Sequence, residues 1–454
     1  MTDSTRDWQE LDRAHHVHPF TDPQTILQQG VKVITRGEGV YVWDSAGNKI
    51  LDGMAGLWCV NVGYGRRELV EAATRQMEIL PYYNTFWQTS TPPQIELVEQ
   101  LASVTPPGLD HFFFTNSGSE ANDTIIRLVR HYWKAVGKPS KHVFIGRTLA
   151  YHGSTLGAVS LGGMKPMHDM EPAVLPGFAH IMHPHWYALG GDLTPEEFGI
   201  RAARALEEKI LELGPDNVAA FIGDPVQGAG GVIDPPRSYW PEIERICRKY
   251  DILLVADEVI CGFGRTGNWF GCETFGFSPD LMTMAKGLSS GYLPIAAVAM
   301  NGRVFEGLSR GGLLSHGYTY SGHPVASAVA VENIRLIKRE GLVERVRDDI
   351  GPYFRAALQD LADSHPIVGE LRGAGLMAAL QLVRDKSDRT PFADGDNPAI
   401  RCRDICLENK LIMRAVGQAM ILSPALVISR SEVDELVDKA RIGLDATARM
   451  FGLL

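Results

Sequence analysis

This sequence has no apolar run approaching the roughly 18 residues that cross a membrane as a helix. It has no C-x-x-C pair. None of its six cysteines (Cys59, Cys247, Cys261, Cys272, Cys402 and Cys406) stands with histidines at zinc-finger spacing. A disulfide framework and a structural zinc site are therefore not expected, and no metal is assigned. Cys402 and Cys406, four apart on a predicted helix, read as semi-buried thiols in a reducing compartment. Positive charge is not in excess either: 44 basic against 54 acidic residues give −10. That argues against a general nucleic-acid binder, which needs a basic footprint. There is no internal repeat and no low-complexity tract. Residues 1–10 are polar and carry no apolar signal region, so the expectation is a cytoplasmic protein with no membrane partner.

What is present describes a large globular chain. At 454 residues, with 45% hydrophobic and 22% charged, it can bury a sizeable core. At about 150 residues per domain, two or three domains are expected. The 47 glycines and 26 prolines suggest many tight turns between strands and helices.

The chain reads as polar and irregular to about Gly30, then as short strands around turns over 31–50. From about Asp110, short apolar runs (112–115, 143–146, 218–222, 252–256, 281–285 and 295–300) alternate with helical patterns at 119–135, 197–213 and 239–250. Runs apolar on both faces, alternating with helices, predict a mainly parallel sheet in an α/β fold. Beyond a helix near 324–339 the pattern predicts helices at 342–361, 399–408 and 431–449, and a strand at 376–383. We expect three segments: 1–65 packing with a small domain, 66–335 as a large domain, and 336–454 as the C-terminal small domain.

Two familiar motifs occur without their structural context. Gly262-Phe263-Gly264-Arg265-Thr266-Gly267 matches the dinucleotide fingerprint G-x-G-x-x-G, but Asn268-Trp269-Phe270-Gly271 follows, not an apolar helix that could hold a pyrophosphate. Gly373-Ala374-Gly375 is a weaker match that runs into a strand. Gly287-Leu288-Ser289-Ser290-Gly291 matches the hydrolase elbow G-x-S-x-G, yet Pro294 breaks the helix that elbow requires.

A third constellation fits one reaction. Asp257 closes one predicted strand and Lys286 follows another. In an open α/β sheet, ligands bind outside the carboxyl ends of the strands. A lysine desolvated there has a lowered pKa and becomes a Schiff-base nucleophile. An aspartate is what keeps the pyridine nitrogen of pyridoxal 5′-phosphate (PLP) protonated. Taken singly, Lys286 reads equally well as a solvated lysine, and Asp257-Glu258 as a polar loop. Residues 115–120, between a strand and a helix, form a candidate phosphate site. Ser119 serves equally as an ordinary helix cap, and the local sequence does not separate the two.

Together these residues resemble the class III PLP-dependent aminotransferases. The resemblance rests on Asn116-Ser117-Gly118-Ser119-Glu120, Tyr151-His152-Gly153-Ser154-Thr155, Asp224-Pro225-Val226-Gln227-Gly228-Ala229-Gly230-Gly231, Asp257-Glu258-Val259, the glycine turn 262–267, Lys286-Gly287, and Thr319-Tyr320-Ser321-Gly322-His323-Pro324. It extends over almost the whole chain. Residues 52–59 and Leu411-Ile412-Met413-Arg414 are similar to the ω-transaminase branch, the amine– and polyamine–pyruvate transaminases.

The resemblance implies PLP fold type I, with a mainly parallel large-domain sheet and a smaller α/β domain from both chain ends. It implies PLP held covalently on Lys286 and Asp257 paired with the pyridine nitrogen. Val259 would pack on one ring face and Tyr151 would stack on the other. Gly118 and Ser119 would bind the phosphate, with His152 and Asp224 in the same cofactor-binding set. Thr319 would reach the cofactor phosphate of a neighbouring subunit, which implies a homodimer with shared sites or a tetramer built from it. Trp58, Tyr151, Ala229 and Phe86 of the partner subunit would wall the substrate pocket. Arg414 resembles the flexible arginine that pairs with a substrate carboxylate. Ala229 stands where ornithine and GABA aminotransferases carry a glutamate.

The chain departs from the family pattern at Asp224, where a glutamate usually precedes the proline, and at Ala425, often a second proline. The expected activity is ping-pong transfer of an amino group from a primary amine to a keto acid such as pyruvate. An aminomutase or epimerase on the same fold, a hydrolase built on Ser289, and a silent binding protein are the alternatives.

Overall fold

The computed structural model describes residues 3–170 and 174–454. Its centre is a seven-stranded sheet in the order Leu109–Thr115, Ala296–Asn301, Leu281–Met284, Leu253–Asp257, Val218–Gly223, Val143–Arg147 and Phe178–Ile181. The strand Ala296–Asn301 runs antiparallel to both of its neighbours, and the remaining pairs are parallel. The strands Val218–Gly223 and Leu253–Asp257 are buried along their whole length. Their unbroken apolar runs follow from helices covering both faces.

Two smaller sheets flank this one. The first joins Ile34–Glu38, Tyr41–Asp44 and Lys49–Asp52 to Leu411–Ile412. Leu411 pairs in parallel with Leu51, so strands from the two ends of the chain share a sheet. The second is antiparallel: Val368–Arg372, Ala378–Leu382, Ala419–Leu422 and Arg414–Val416. No helix is long and apolar enough to cross a membrane, among the described residues.

Two expectations are corrected. The stretch to Gly30 is not irregular: Asp3–His15 and Pro23–Gln29 are helices. Their sequences lack the buried apolar stripe that marks a helix, and Pro23–Gln29 buries no residue. It forms on local signals instead. The Asp22 side chain accepts from the Gln24 amide, Pro23 opens the helix, and Gly30 closes it at φ 70°. The single helix expected over 342–361 is interrupted. A π-helical turn, Val346–Ile350, separates Leu342–Arg345 from Gly351–Ser364. Pro352 has no amide hydrogen to continue the α-helical ladder, and the Gly351 amide reaches back five residues to Val346.

Candidate active site

The sheet itself brings Asp257 and Lys286 to one crevice. Asp257 is the last residue of its strand and pairs in register with Thr283 of the next strand. Lys286 follows three residues later, just past Met284, in a short 3₁₀ turn. Its backbone is left-handed, with φ 46°, a conformation that costs a non-glycine residue energy and clusters at functional sites. One pocket is lined by Gly118, Ser119, Asn122, Tyr151, His152, Gly153, Asp224, Asp257, Val259, Ile260, Ala285 and Lys286.

Asp257 is held from three sides. Its Oδ2 accepts from Asn122 Nδ2 at 2.8 Å and lies 2.7 Å from His152 Nδ1, while Oδ1 accepts from the Val259 amide. Burial would raise the Asp257 carboxyl, but the bond and charge of His152 and the bond from Asn122 outweigh it and hold the group below its usual range. His152 is raised: burial alone would lower it, and the charges of Asp224 and Asp257 overcome that. Asp224, one methylene shorter than the family's glutamate, is pushed up to about 6 by burial. Its Oδ2 accepts no hydrogen bond and lies 3.6 Å from buried Arg147, which donates instead to the Asp224 carbonyl. Burial lowers the Lys286 amine, against the charges of Asp257, Cys59 and Asp224. That amine makes no hydrogen bond among the described residues, so Nζ is free to react.

The residues suit PLP. Gly118 and Ser119 open the helix Gly118–Ala135, and their amides have no acceptor among the described residues. Ser117 caps this helix through the Glu120 amide, which leaves Ser119 Oγ to accept from the Ser154 amide. A helix start of this kind suits a phosphate. A side chain at Gly118 would put its Cβ 3.2 Å from both γ-methyls of Val259, so the cradle between them depends on that glycine. The buried acceptor Oδ1 of Asn122 and Nε2 of His152 have no partner among the described residues, as expected of polar atoms arranged for a bound group.

Trp58 is buried, left-handed at φ 58°, and packs with Met54, Ala229 and Ile260 beside Tyr151. The Arg414 guanidinium lies 5.2 Å from the Trp58 ring centre and has no carboxylate partner among the described residues. Burial lowers its pKa. Phe86 and Thr319 do not join this group. Tyr82 donates to the Thr319 carbonyl at 2.7 Å, and Phe86 packs on Gly317. Both lie in loops that also expose Trp87, Tyr320 and Leu313.

Sequence reasoning overlooked Asn122 and Ile260 in the pocket, and Phe20, whose ring meets Tyr151 edge-on at 6.2 Å. Asn122 lies one helical turn after Gly118, and that spacing was the available signal. Neither familiar motif finds its chemistry. No helix opens directly after Gly267: the next, Gly271–Phe275, begins four residues on. The Ser289 hydroxyl donates to the Leu293 carbonyl and shares no hydrogen bond with a histidine.

Comparisons with known proteins agree with this geometry. The family model for aminotransferase class-III matches residues 26–442. The putrescine–pyruvate aminotransferase of Pseudomonas aeruginosa is 58% identical over 444 residues, 98% of this chain and 97% of that protein. A chloroplastic gamma aminobutyrate transaminase of Solanum lycopersicum is 44% identical over 93% of this chain and 82% of its own. Among solved structures, the omega transaminase of Pseudomonas jessenii in complex with PMP has a TM-score of 0.95 at 44% identity, covering 98% of this chain and 99% of its own. The (S)-enantioselective omega transaminase of Thermomicrobium roseum has a TM-score of 0.95 at 42% identity, covering 98% and 100%. This chain belongs to the class III aminotransferases, PLP-dependent transaminases of fold type I that move an amino group from an amine to a keto acid.

Proposed function

We propose that this enzyme takes a primary amine of the polyamine type as donor and pyruvate as acceptor, with Lys286 and Asp257 as its catalytic pair. The observation that carries the assignment is the free Lys286 amine, its pKa lowered by burial, in the same pocket as an ionised Asp257. PLP, when bound, supplies an electron sink for the substrate carbon that loses its proton. Lys286 Nζ carries the cofactor at rest. Lys286 Nζ, when free, would act as the base that takes the proton from the substrate's Cα and as the acid that gives it back. Asp257, kept ionised by His152 and Asn122, would keep the pyridine nitrogen of bound PLP protonated. Gly118 and Ser119 would hold the phosphate, Val259 and Tyr151 would flank the ring, and His152 and Asp224 would complete the cofactor set.

Donor choice follows from the pocket wall. Trp58, Tyr151 and Ala229 give an apolar and aromatic lining, and small Ala229 leaves room for an extended amine. Arg414, without a carboxylate partner among the described residues, can pair with the carboxylate of the keto acid. The relative named for putrescine and pyruvate, at 58% identity, supports the same choice.

A homodimer with shared sites is part of this reading. Phe86 and Thr319 stand on a surface that exposes aromatic side chains, and there they can serve a second subunit's pocket. Residues 66–335 then form the large domain. Segments 1–65 and 336–454 form the small one, in keeping with the strand pairing of Leu51 with Leu411. A cytoplasmic location completes the proposal.

The test is the visible spectrum of the purified holoenzyme. Its yellow absorbance should fade on adding putrescine and return on adding pyruvate. A colour that responds to neither would overturn the assignment. Fading without return on pyruvate would overturn the acceptor.

A further inference from the structure

A second cluster of metal-ligating side chains lies outside the catalytic pocket, at the end of the first helix. The sequence there is Asp12-Arg13-Ala14-His15-His16-Val17-His18. Asp12 and His16 are four apart, so the helical turn places them on one face, and the His16 amide still donates to the Asp12 carbonyl. The chain then folds back. His16 Nδ1 lies 2.9 Å from Asp12 Oδ1, and His18 Nε2 lies 2.7 Å from Asp12 Oδ2. The two imidazole rings are 4.1 Å apart at 43°. All three donor atoms fall within 4.8 Å of one another. Among the described residues, the only other group so arranged is His152, Asp224 and Asp257, which belongs to the cofactor site.

We propose that Asp12, His16 and His18 form a binding site for a divalent transition-metal ion of the zinc or nickel type. Ligands about 2.0–2.2 Å from one ion stand roughly 3–3.5 Å apart at tetrahedral angles, so small movements of these side chains would admit it. Two imidazoles and one carboxylate suit zinc or nickel, whereas magnesium and calcium prefer all-oxygen ligands. His16 is largely exposed, which gives the ion an entry path and leaves a coordination position to water.

The location gives the site a consequence. Phe20, two residues beyond His18, meets Tyr151 of the catalytic pocket edge-on, yet is 76% exposed and left-handed at φ 51°. An ion bridging the helix to His18 would fasten the segment that carries Phe20 to the pocket mouth.

The test uses tag-free, metal-stripped holoenzyme titrated with zinc sulfate against a chromophoric chelator. One zinc per chain is expected, unaffected by millimolar magnesium or calcium. Loss of even an outer-shell partner costs about 10–100-fold in affinity, so His16→Gln with His18→Gln should weaken binding at least that much. His16 is exposed and His18 mostly covered, so circular dichroism of the variant checks that the fold is kept. Hydrogen exchange should slow on zinc addition in the 12–22 peptide. Equal zinc affinity in wild type and double variant, or protection confined to other peptides, would overturn the proposal. So would the absence of any zinc binding, leaving the cluster a hydrogen-bonded clasp only.

Discussion

His152 Nδ1 lies 2.7 Å from Asp257 Oδ2, and both side chains are closed off from solvent. The pair shares charge. Asp257 is held below its usual range by His152 and Asn122, and the His152 pKa is raised, burial pulling it down and the charges of Asp224 and Asp257 outweighing that. A group whose folded pKa is raised stabilises the fold below its unfolded value and loses that contribution as pH rises through the folded one.

This sign makes a prediction for His152→Gln, which keeps an N–H donor but not the charge. Cofactor-free wild type should be the more stable protein at pH 6, by roughly 1.5–3 kcal/mol, the range for a hydrogen bond to a charged group. The gap should shrink at alkaline pH, as pH rises through the raised value of His152. Urea unfolding of both proteins at the two pH values measures it. A gap that widens with pH would show His152 to be neutral in the fold.

Lys286→Ala removes the one lysine amine that lines the pocket among the described residues. General acid–base catalysis alone contributes about 10²–10⁴-fold, and the covalent role adds to this. Amine transfer to pyruvate should fall by at least that factor, with the cofactor still retained by the phosphate and ring contacts. Stopped-flow measurement of the first half-reaction checks it. A variant with wild-type rate would remove Lys286 from the mechanism.

These two residues also show what the sequence could reveal. Asp257 and Lys286 were visible because each follows an apolar run that could only be a buried strand, and both were placed at strand ends. Asn122 was hard to see because its partner Asp257 lies 135 positions away, and its place one helical turn after Gly118 is the sole local hint. The helices Asp3–His15 and Pro23–Gln29 were hidden for the opposite reason. They are held by caps and local hydrogen bonds, not by an apolar stripe. Phe86 and Thr319 were named from the resemblance alone, and in one chain they lie outside the pocket. The π-turn at Val346–Ile350 depends on a backbone register that a helical apolar pattern does not report.

Gly118→Ala probes the cofactor cradle without touching a reacting group. The added Cβ would lie 3.2 Å from both γ-methyls of Val259, closer than a relaxed contact. Overpacking of this kind costs about 1–3 kcal/mol. Val259 relieves it by turning into the space where the ring is expected to lie. Cofactor retention should therefore weaken by about tenfold, equivalent to about 1.4 kcal/mol. Cofactor-free protein should melt within a few degrees of wild type. Equilibrium dialysis against PLP and a thermal melt separate the two effects. A large fall in melting temperature with unchanged retention would place the cost in the fold.

Arg414 gives the sharpest test of acceptor recognition. Its guanidinium lies over Trp58 with no carboxylate partner among the described residues, so its charge is available to a substrate. Arg414→Gln keeps a polar side chain but loses the bidentate, charged donor. A hydrogen bond to a charged group is worth about 1.5–3 kcal/mol. The kcat/KM for pyruvate should therefore fall roughly 10–100-fold, mainly through KM. An aldehyde acceptor without a carboxylate should lose little, because it never used the charge. Rates with the two acceptors and one common amine donor decide the matter. Equal losses for both acceptors would mean that Arg414 supports the pocket wall through Trp58 and does not bind the carboxylate.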